Sequence, residues 1–228
     1  SDMSDPFTFG GPIAWRPAPD DIARANLTAF MTAHGIAVDP SDARPAFDAL
    51  MARSTGDVAW FTDAVLRWLD VRFRVPYSDV VDLSRGIQWP RWCVGGRMNI
   101  VDNLLDKHAH TPTDDRPALI FEGEEGIART LSYAELRAEV NRAANALSSL
   151  GVGRGDAVGI FMPMVPEIAV ALLAIAKVGA VALPLFSGYG AEAIVGRMVD
   201  AGAVALFASD GAFRRGKPSA MKPVADEA

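Results

Sequence analysis

The chain has 228 residues, half of them apolar and 22% charged, with a formal net charge of −6. That length accommodates one large domain or two small ones, and the mildly acidic balance argues against a general nucleic-acid binder, which carries a basic surface. A single cysteine, Cys93, excludes an internal disulfide framework and a cysteine-based zinc site, and it fits a reducing, cytoplasmic compartment.

Residues 1–19, with Gly10-Gly11-Pro12 and Pro17-Ala18-Pro19, read as an extended or disordered lead-in, and their polar, acidic start is unlike a secretory leader. A helical region is predicted over 20–97. Asp20-Asp21 starts a first helix that runs to about His34, with Gly35 as its stop. A weaker helix covers about 43–51. A third runs from Asp57 to about Phe73, with Phe61, Ala64, Val65, Trp68 and Leu69 on one face. Residues 74–97 read as irregular, and Trp89 and Trp92 beside Pro90 are expected to pack on a neighbouring element. Met98 to His108 reads as a short helix with Asn99 or Asp102 near its start.

From Pro117 the pattern changes to alternating strands and helices. Ala118–Phe121 and Ala128–Leu131 form a predicted hairpin around a turn at 122–127. Ser132-Tyr-Ala-Glu135 is a capping box for a helix from Tyr133 to Leu150, ended by Gly151. Strands follow at 157–161, 180–185 and 204–207, separated by helices at 165–178 and 191–201. This alternation predicts an α/β fold, a helical lead-in followed by βαβ units of a parallel sheet. The apolar runs at 168–176 and 179–186 are shorter than the ~20 residues a bilayer requires.

In a parallel α/β sheet, ligands bind outside the carboxyl ends of the strands. Three loops qualify: Met162–Pro166, Phe186–Gly190, and Ser209-Asp210 leading into Phe213–Lys217. Arg214, Arg215 and Lys217 surround a glycine and can grip a phosphate, Arg as a planar fork and Lys as a mobile point charge; the same residues also fit a solvated basic loop. Phe186-Ser187-Gly188-Tyr189-Gly190 fits either a ligand-stacking loop or a tight strand-to-helix turn with its aromatics in the core. His108 and His110 lack the i,i+4 spacing of a zinc pair on a helix. Gly151-Val-Gly-Arg-Gly155 precedes a strand, so it reads as a turn and not as a dinucleotide fingerprint. No Walker-type phosphate loop occurs, and no catalytic or metal-binding residue is assigned.

Several segments together resemble one family. Trp92-Cys-Val-Gly-Gly-Arg-Met-Asn99, Thr130-Leu-Ser-Tyr-Ala-Glu-Leu136, Val158-Gly-Ile-Phe-Met-Pro-Met-Val-Pro-Glu167 and Ala174-Ile-Ala-Lys-Val-Gly-Ala180 are similar, in order and spacing, to the AMP-forming acyl-CoA synthetases of the acetyl-/propionyl-CoA synthetase type within the acyl-adenylate-forming enzymes. The resemblance implies that 20–97 is the helical N-terminal region of this branch and that 98–228 is the first, truncated part of the AMP-binding domain. It implies a ligase that activates a short-chain carboxylic acid with ATP and Mg²⁺ to acyl-AMP and transfers it to CoA. It further implies that Arg214 and Lys217, with Arg215 as accessory, contact the phosphorylated end of CoA, and that Phe186, Ser187 and Gly188 lie along its adenine. Ser187-Gly188-Tyr189-Gly190 departs from the Gly-Gly-Phe-Ser usual in acetyl-CoA synthetases, and Leu183-Pro-Leu185 is nearer the superfamily at large; both leave the acyl group open. The family's Ser/Thr/Gly-rich loop followed by Pro-Lys is absent, as are its magnesium Glu, hinge Asp and catalytic Lys. The expectation is therefore a chain inactive by itself, with a sheet incomplete enough to self-associate, binding neither nucleic acid nor membrane. The alternative is a non-catalytic CoA- or nucleotide-binding or interaction module.

Overall fold

A computed structural model describes residues 14–228, apart from the side chain of Arg214. The lead-in expected at 1–19 therefore lies largely outside the described residues. The chain divides into two compact units, one formed by residues up to Val71 together with Ser78–Val94, the other by Arg72–Tyr77 and Gly95–Ala228.

Among its described residues the first unit has four helices, α1 (Pro19–Arg24), α2 (Asn26–Ala33), α3 (Arg44–Gly56) and α4 (Val58–Trp68), and a two-stranded antiparallel ribbon of β1 (Asp79–Asp82) and β2 (Arg91–Val94). The single helix expected over 20–34 is two, because Ala25 is extended and the Thr28 hydroxyl donates to the Ile22 carbonyl across the break at 2.6 Å. Asp21 acts from within α1, its carboxylate accepting from the Ala18 N–H at 3.0 Å. Helix α4 starts where Asp57 accepts from the Trp60 N–H and stops short of the expected Phe73, because Asp70 takes a left-handed conformation. Phe30, Met31, Ala46, Leu50 and Ala64 make the core of this unit, with Phe30 edge-on to Phe61 and Trp68. The stretch expected to be irregular carries the β1–β2 ribbon, and Trp89 in the loop between its strands is 62% exposed.

In the second unit, α5 (Ile100–Leu104) and a 3-10 turn (Asp106–His108) lead to the antiparallel hairpin β3 (Pro117–Glu122) and β4 (Ala128–Ser132). Helix α6 (Tyr133–Ser149) follows, opened by the expected capping box: Glu135 N–H to Ser132 Oγ at 3.2 Å, and Ser132 N–H to Glu135 Oε2 at 2.8 Å. Then come β5 (Ala157–Phe161), α7 (Pro166–Lys177), β6 (Val181–Pro184), α8 (Ala191–Asp200) and β7 (Ala203–Ala208). Strand β5 lies between β6 and β7 and pairs parallel with both. All five β5 residues are buried, as a strand covered on both faces requires. A second hairpin, β8 (Gly211–Arg214) and β9 (Lys217–Ala220), and helix α9 (Lys222–Glu227) complete the described chain.

Two asparagines hold this unit together at element ends. Asn99 Oδ1 accepts from the Val101 N–H to cap α5, while its Nδ2 donates to the Ala176 and Lys177 carbonyls at the end of α7, at 3.0 and 3.1 Å. One side chain thus satisfies the start of one helix and the finish of another. Asn103, buried, accepts from the Arg72 N–H at 2.7 Å and donates to the Arg72 carbonyl at 3.0 Å. Helices α5, α6 and α7 meet around Val101, Leu105, Leu136 and Val140, and the sheet packs on α6 and α7 through Ala144, Leu147, Val158, Ile160, Ala174 and Ile175.

Arg137 on α6 grips Asp114 with both terminal nitrogens, at 2.5 and 3.0 Å, and Asp114 also accepts from the His110 N–H. The Arg137 guanidinium, then the His110 N–H, lowers the Asp114 carboxyl from its usual 3.8 to about 2. A carboxyl depressed on folding stabilises the fold above its unfolded value, and that contribution is lost as pH falls through the folded value. Asp114→Asn is therefore expected to lower the urea midpoint at pH 7, and the gap from the parent chain should close between about pH 4 and pH 2. A gap that stays constant over this range would show that the ionised form of Asp114 contributes nothing.

Candidate functional site

The parallel register brings the carboxyl ends of β5, β6 and β7 to one edge of the sheet. Each end is held to its neighbour: the Leu185 N–H donates to the Ile160 carbonyl and the Ser209 N–H to the Phe161 carbonyl. The three loops selected from the sequence leave from this edge.

The segment after β7, expected to be a loop, is the β8–β9 hairpin. Its root is the Asp210 carbonyl, which accepts from the Met221 and Lys222 N–H groups at 2.9 and 3.1 Å, and Met221 is buried with Phe161, Leu185 and Ile194. Asp210 Oδ1 accepts from the Gly211 N–H at 2.8 Å, and Ser209 Oγ donates to the Gly211 carbonyl at 2.8 Å. Gly211 has to be a glycine, because a Cβ there would sit 2.9 Å from the Ser219 carbonyl oxygen on the opposite strand. The tip is a two-residue turn. Arg214 pairs with Lys217 across the strands, and Arg215 and Gly216 both have positive φ, 55° and 71°. That is the type I′ geometry whose twist suits a tight hairpin. The Arg214 backbone, Arg215 and Lys217 thus share one tip, and Arg215 and Lys217 are exposed. The Arg214 side chain lies outside the described residues.

The loop after β6 divides its two aromatics. Tyr189 packs into the core around Phe161 and Ile194, with the Arg197 guanidinium 4.3 Å from its ring centre, whereas Phe186 is 59% exposed and meets Tyr189 edge-on at 5.6 Å. The Tyr189 N–H donates to the Phe186 carbonyl, closing the turn. Gly188 leaves room for the Phe186 ring, which a Cβ would approach to 2.7 Å. Ser187 is exposed. Because β5 separates β6 from β7, this loop and the hairpin root are two strand spacings apart, about 10 Å.

Sequence reasoning did not find the cleft beside the hairpin. It has a volume of about 510 Å³ and is bounded by the β3–β4 turn from Phe121 to Ile127, the Pro163–Pro166 loop, and Gly211, Ala212 and Phe213 of β8. Arg129 lies on its rim and pairs with Glu167 at 2.6 Å, tying β4 to the first turn of α7. Burial opposes ionisation of Glu167, but the Arg129 contact and backbone donation outweigh it and hold the carboxyl below its usual range. Across the cleft, Glu124 Oε2 accepts from the Gly216 N–H at 3.2 Å, joining the acidic turn to the basic tip. The clue in the sequence is charge: Glu122, Glu124 and Glu125 cluster in one stretch and Arg214, Arg215 and Lys217 in another. Phe186, Ser187 and Gly188 do not line this cleft.

Among the described residues no group of three or more His, Cys, Asp or Glu side chains is placed to hold a metal ion. None of the helices in the described residues is long and apolar enough to cross a membrane.

Residues 105–227, more than half of the chain, match the family described as AMP-binding enzyme. The chain is 38% identical over 227 residues to the acetyl-coenzyme A synthetase of Mycolicibacterium smegmatis, covering 99% of this chain and 22% of that protein. It is 48% identical over 138 residues to that of Streptomyces coelicolor, covering 60% of this chain and 21% of the relative. Among solved structures, acetoacetyl-CoA synthetase from Streptomyces lividans superposes with a TM-score of 0.80 at 30% identity, over 93% of this chain and 32% of that one. The chain spans about a fifth of the length of these curated relatives.

The hairpin geometry gives a direct test. Gly211→Ala should force β8 from β9, so that amide hydrogen exchange in β8 and β9 accelerates about tenfold or more while β5 amides keep their protection. Unchanged exchange in the hairpin would show that the close approach at Ser219 is not needed.

Proposed function

Because this chain belongs to the AMP-binding enzyme family, we propose that it supplies the CoA-phosphate side of an AMP-forming acid–CoA ligase. The whole enzyme would join a short-chain carboxylate to the α-phosphate of ATP, releasing pyrophosphate. The CoA thiol would then displace AMP to give the thioester. A cytoplasmic location accords with the single cysteine.

The observation that carries this reading is the β8–β9 tip. A two-residue turn, rooted at the carboxyl edge of the sheet, carries exposed Arg215 with Lys217 beside it, and Arg214 precedes them in the chain. Guanidinium and ammonium groups suit the 3′-phosphate of CoA, which offers several charged oxygens to a fork and a point charge. Phe186, exposed on the adjoining loop, is the apolar face on which the adenine would stack, with Ser187 and Gly188 alongside. With the two loop roots about 10 Å apart, side chains from both could reach a single ribose that carries the base at C1′ and the phosphate at C3′. Mg²⁺ enters the whole enzyme with ATP; no residue here is assigned to it.

Calorimetry with CoA and 3′-dephospho-CoA tests the phosphate role. CoA should bind more tightly, and Lys217→Ala should weaken CoA roughly 5- to 20-fold, the worth of one charge-assisted contact, without affecting 3′-dephospho-CoA. Equal affinities in the parent chain would remove the role of the tip. The sequence holds no Ser/Thr/Gly-rich loop followed by Pro-Lys. The 228-residue chain is accordingly expected to show no ATP–pyrophosphate exchange with short carboxylic acids, and measurable exchange would place adenylating residues within it.

A further inference from the structure

Glu124 is an unusual neighbour for a phosphate-binding tip. It lies in a turn that is closed on itself, the Gly123 N–H donating to the Ile127 carbonyl and the Gly126 N–H to the Gly123 carbonyl. From there its carboxylate reaches a residue 92 positions away and accepts from the Gly216 N–H at 3.2 Å. That N–H is not used by the β8–β9 ladder, whose last pair is Arg214 with Lys217. It projects from the tip as a donor, between the very residues assigned to the phosphate. Among the described residues Glu124 forms no ion pair, so its carboxylate is engaged by a neutral amide, that of Gly216, which Arg215 and Lys217 flank in the chain. Glu122 and Glu125 line the same cleft and add to the negative field.

We propose that Glu124 is an internal anion that occupies the hairpin tip and has to yield to the 3′-phosphate of CoA, so that it sets the affinity and the release of the phosphorylated end. This rests on the assignment of the tip to CoA phosphate. Two consequences follow from the chemistry. In the absence of ligand, the carboxylate holds the Arg215-Gly216 turn through one N–H, keeping the cations in place. When a dianionic phosphate arrives, the carboxylate loses that N–H or repels the ligand at short range, and either effect weakens binding. A tip of three cations with no such counterweight would hold CoA more tightly and let it go more slowly.

The test compares Glu124→Gln, Glu124→Ala and Glu125→Gln in the same chain, by calorimetry with CoA and with 3′-dephospho-CoA. Gln removes the charge and keeps an oxygen acceptor; Ala removes both. Both Glu124 variants should bind CoA about 3- to 10-fold more tightly and 3′-dephospho-CoA unchanged, with the gain shrinking as salt is raised from about 0.05 to 0.5 M. Glu125→Gln should produce a clearly smaller gain. If Glu124→Ala binds CoA more weakly, Glu124 only positions the hairpin and the proposal fails; an unchanged affinity sinks it equally. Equal gains from Glu124→Gln and Glu125→Gln would reduce the effect to net charge and overturn it too. Failure of the underlying assignment looks different: the parent chain would not bind CoA, would not distinguish CoA from 3′-dephospho-CoA, or would be indifferent to Lys217→Ala.

Discussion

Strand β5 has no free side. Its two edges are taken by β6 and β7, and its two faces are covered, so all five of its residues are buried. Small residues make this possible: at Gly159 even a Cβ would come within 2.6 Å of Met198 Sδ and 2.7 Å of Leu206 Cδ1. With β5 fixed in the middle and both neighbours parallel to it, the chain has to cross back over the sheet through α7 and α8. Every carboxyl strand end then falls on the same edge. The hairpin, the Phe186 loop and the Pro163–Pro166 loop owe their common location to this one pairing pattern.

That edge sorts its residues by exposure. Buried Leu185 and Met221, with half-buried Tyr189, root the two loops in the core shared with Phe161 and Ile194. Outward groups, Phe186, Arg215 and Lys217, are left to solvent. In the proposed role, such a tip would gain from this arrangement because its exposed cations stay hydrated until a ligand arrives, while the hairpin already sets the turn that carries them. The Glu124 contact belongs to the same economy of charge, balancing an otherwise wholly basic tip with a carboxylate from across the cleft.

Other polar residues in family-like motifs have architectural work that explains their presence without ligand chemistry. Asn99 closes the Trp92–Asn99 motif by capping α5 and accommodating the last carbonyls of α7. Ser132 and Glu135, in the Thr130–Leu136 motif, start α6. Glu167, at the end of the Val158–Glu167 motif, holds β4 through Arg129 and so shapes the cleft wall. A motif recognisable as a string of letters is, in three of its four occurrences, a set of element ends that have to be satisfied.

Local chemistry determined much of this protein from the sequence. The capping box, the strand and helix boundaries from 117 to 208 and the glycine stop after α6 depend on neighbours within a few residues, which the letters display directly, and the parallel sheet follows from the resulting βαβ order through the crossover rule. The break at Ala25, the early end of α4 at Asp70 and the β1–β2 ribbon were not legible, because a hydroxyl six residues away, a left-handed Asp and a pairing across an eight-residue loop leave no periodic trace. The basic cluster Arg214, Arg215 and Lys217 was visible as charge, yet its form as a hairpin tip was not, since a strand of Gly211 to Arg214 has no alternating pattern to announce it. Only the tertiary structure decided that Phe186 faces solvent while Tyr189 faces the core, and that the acidic turn at 122–125 meets the basic tip 92 residues later. Sequence order carries the residue types, but which distant residues share a hydrogen bond is set by the way β5 gathers its neighbours.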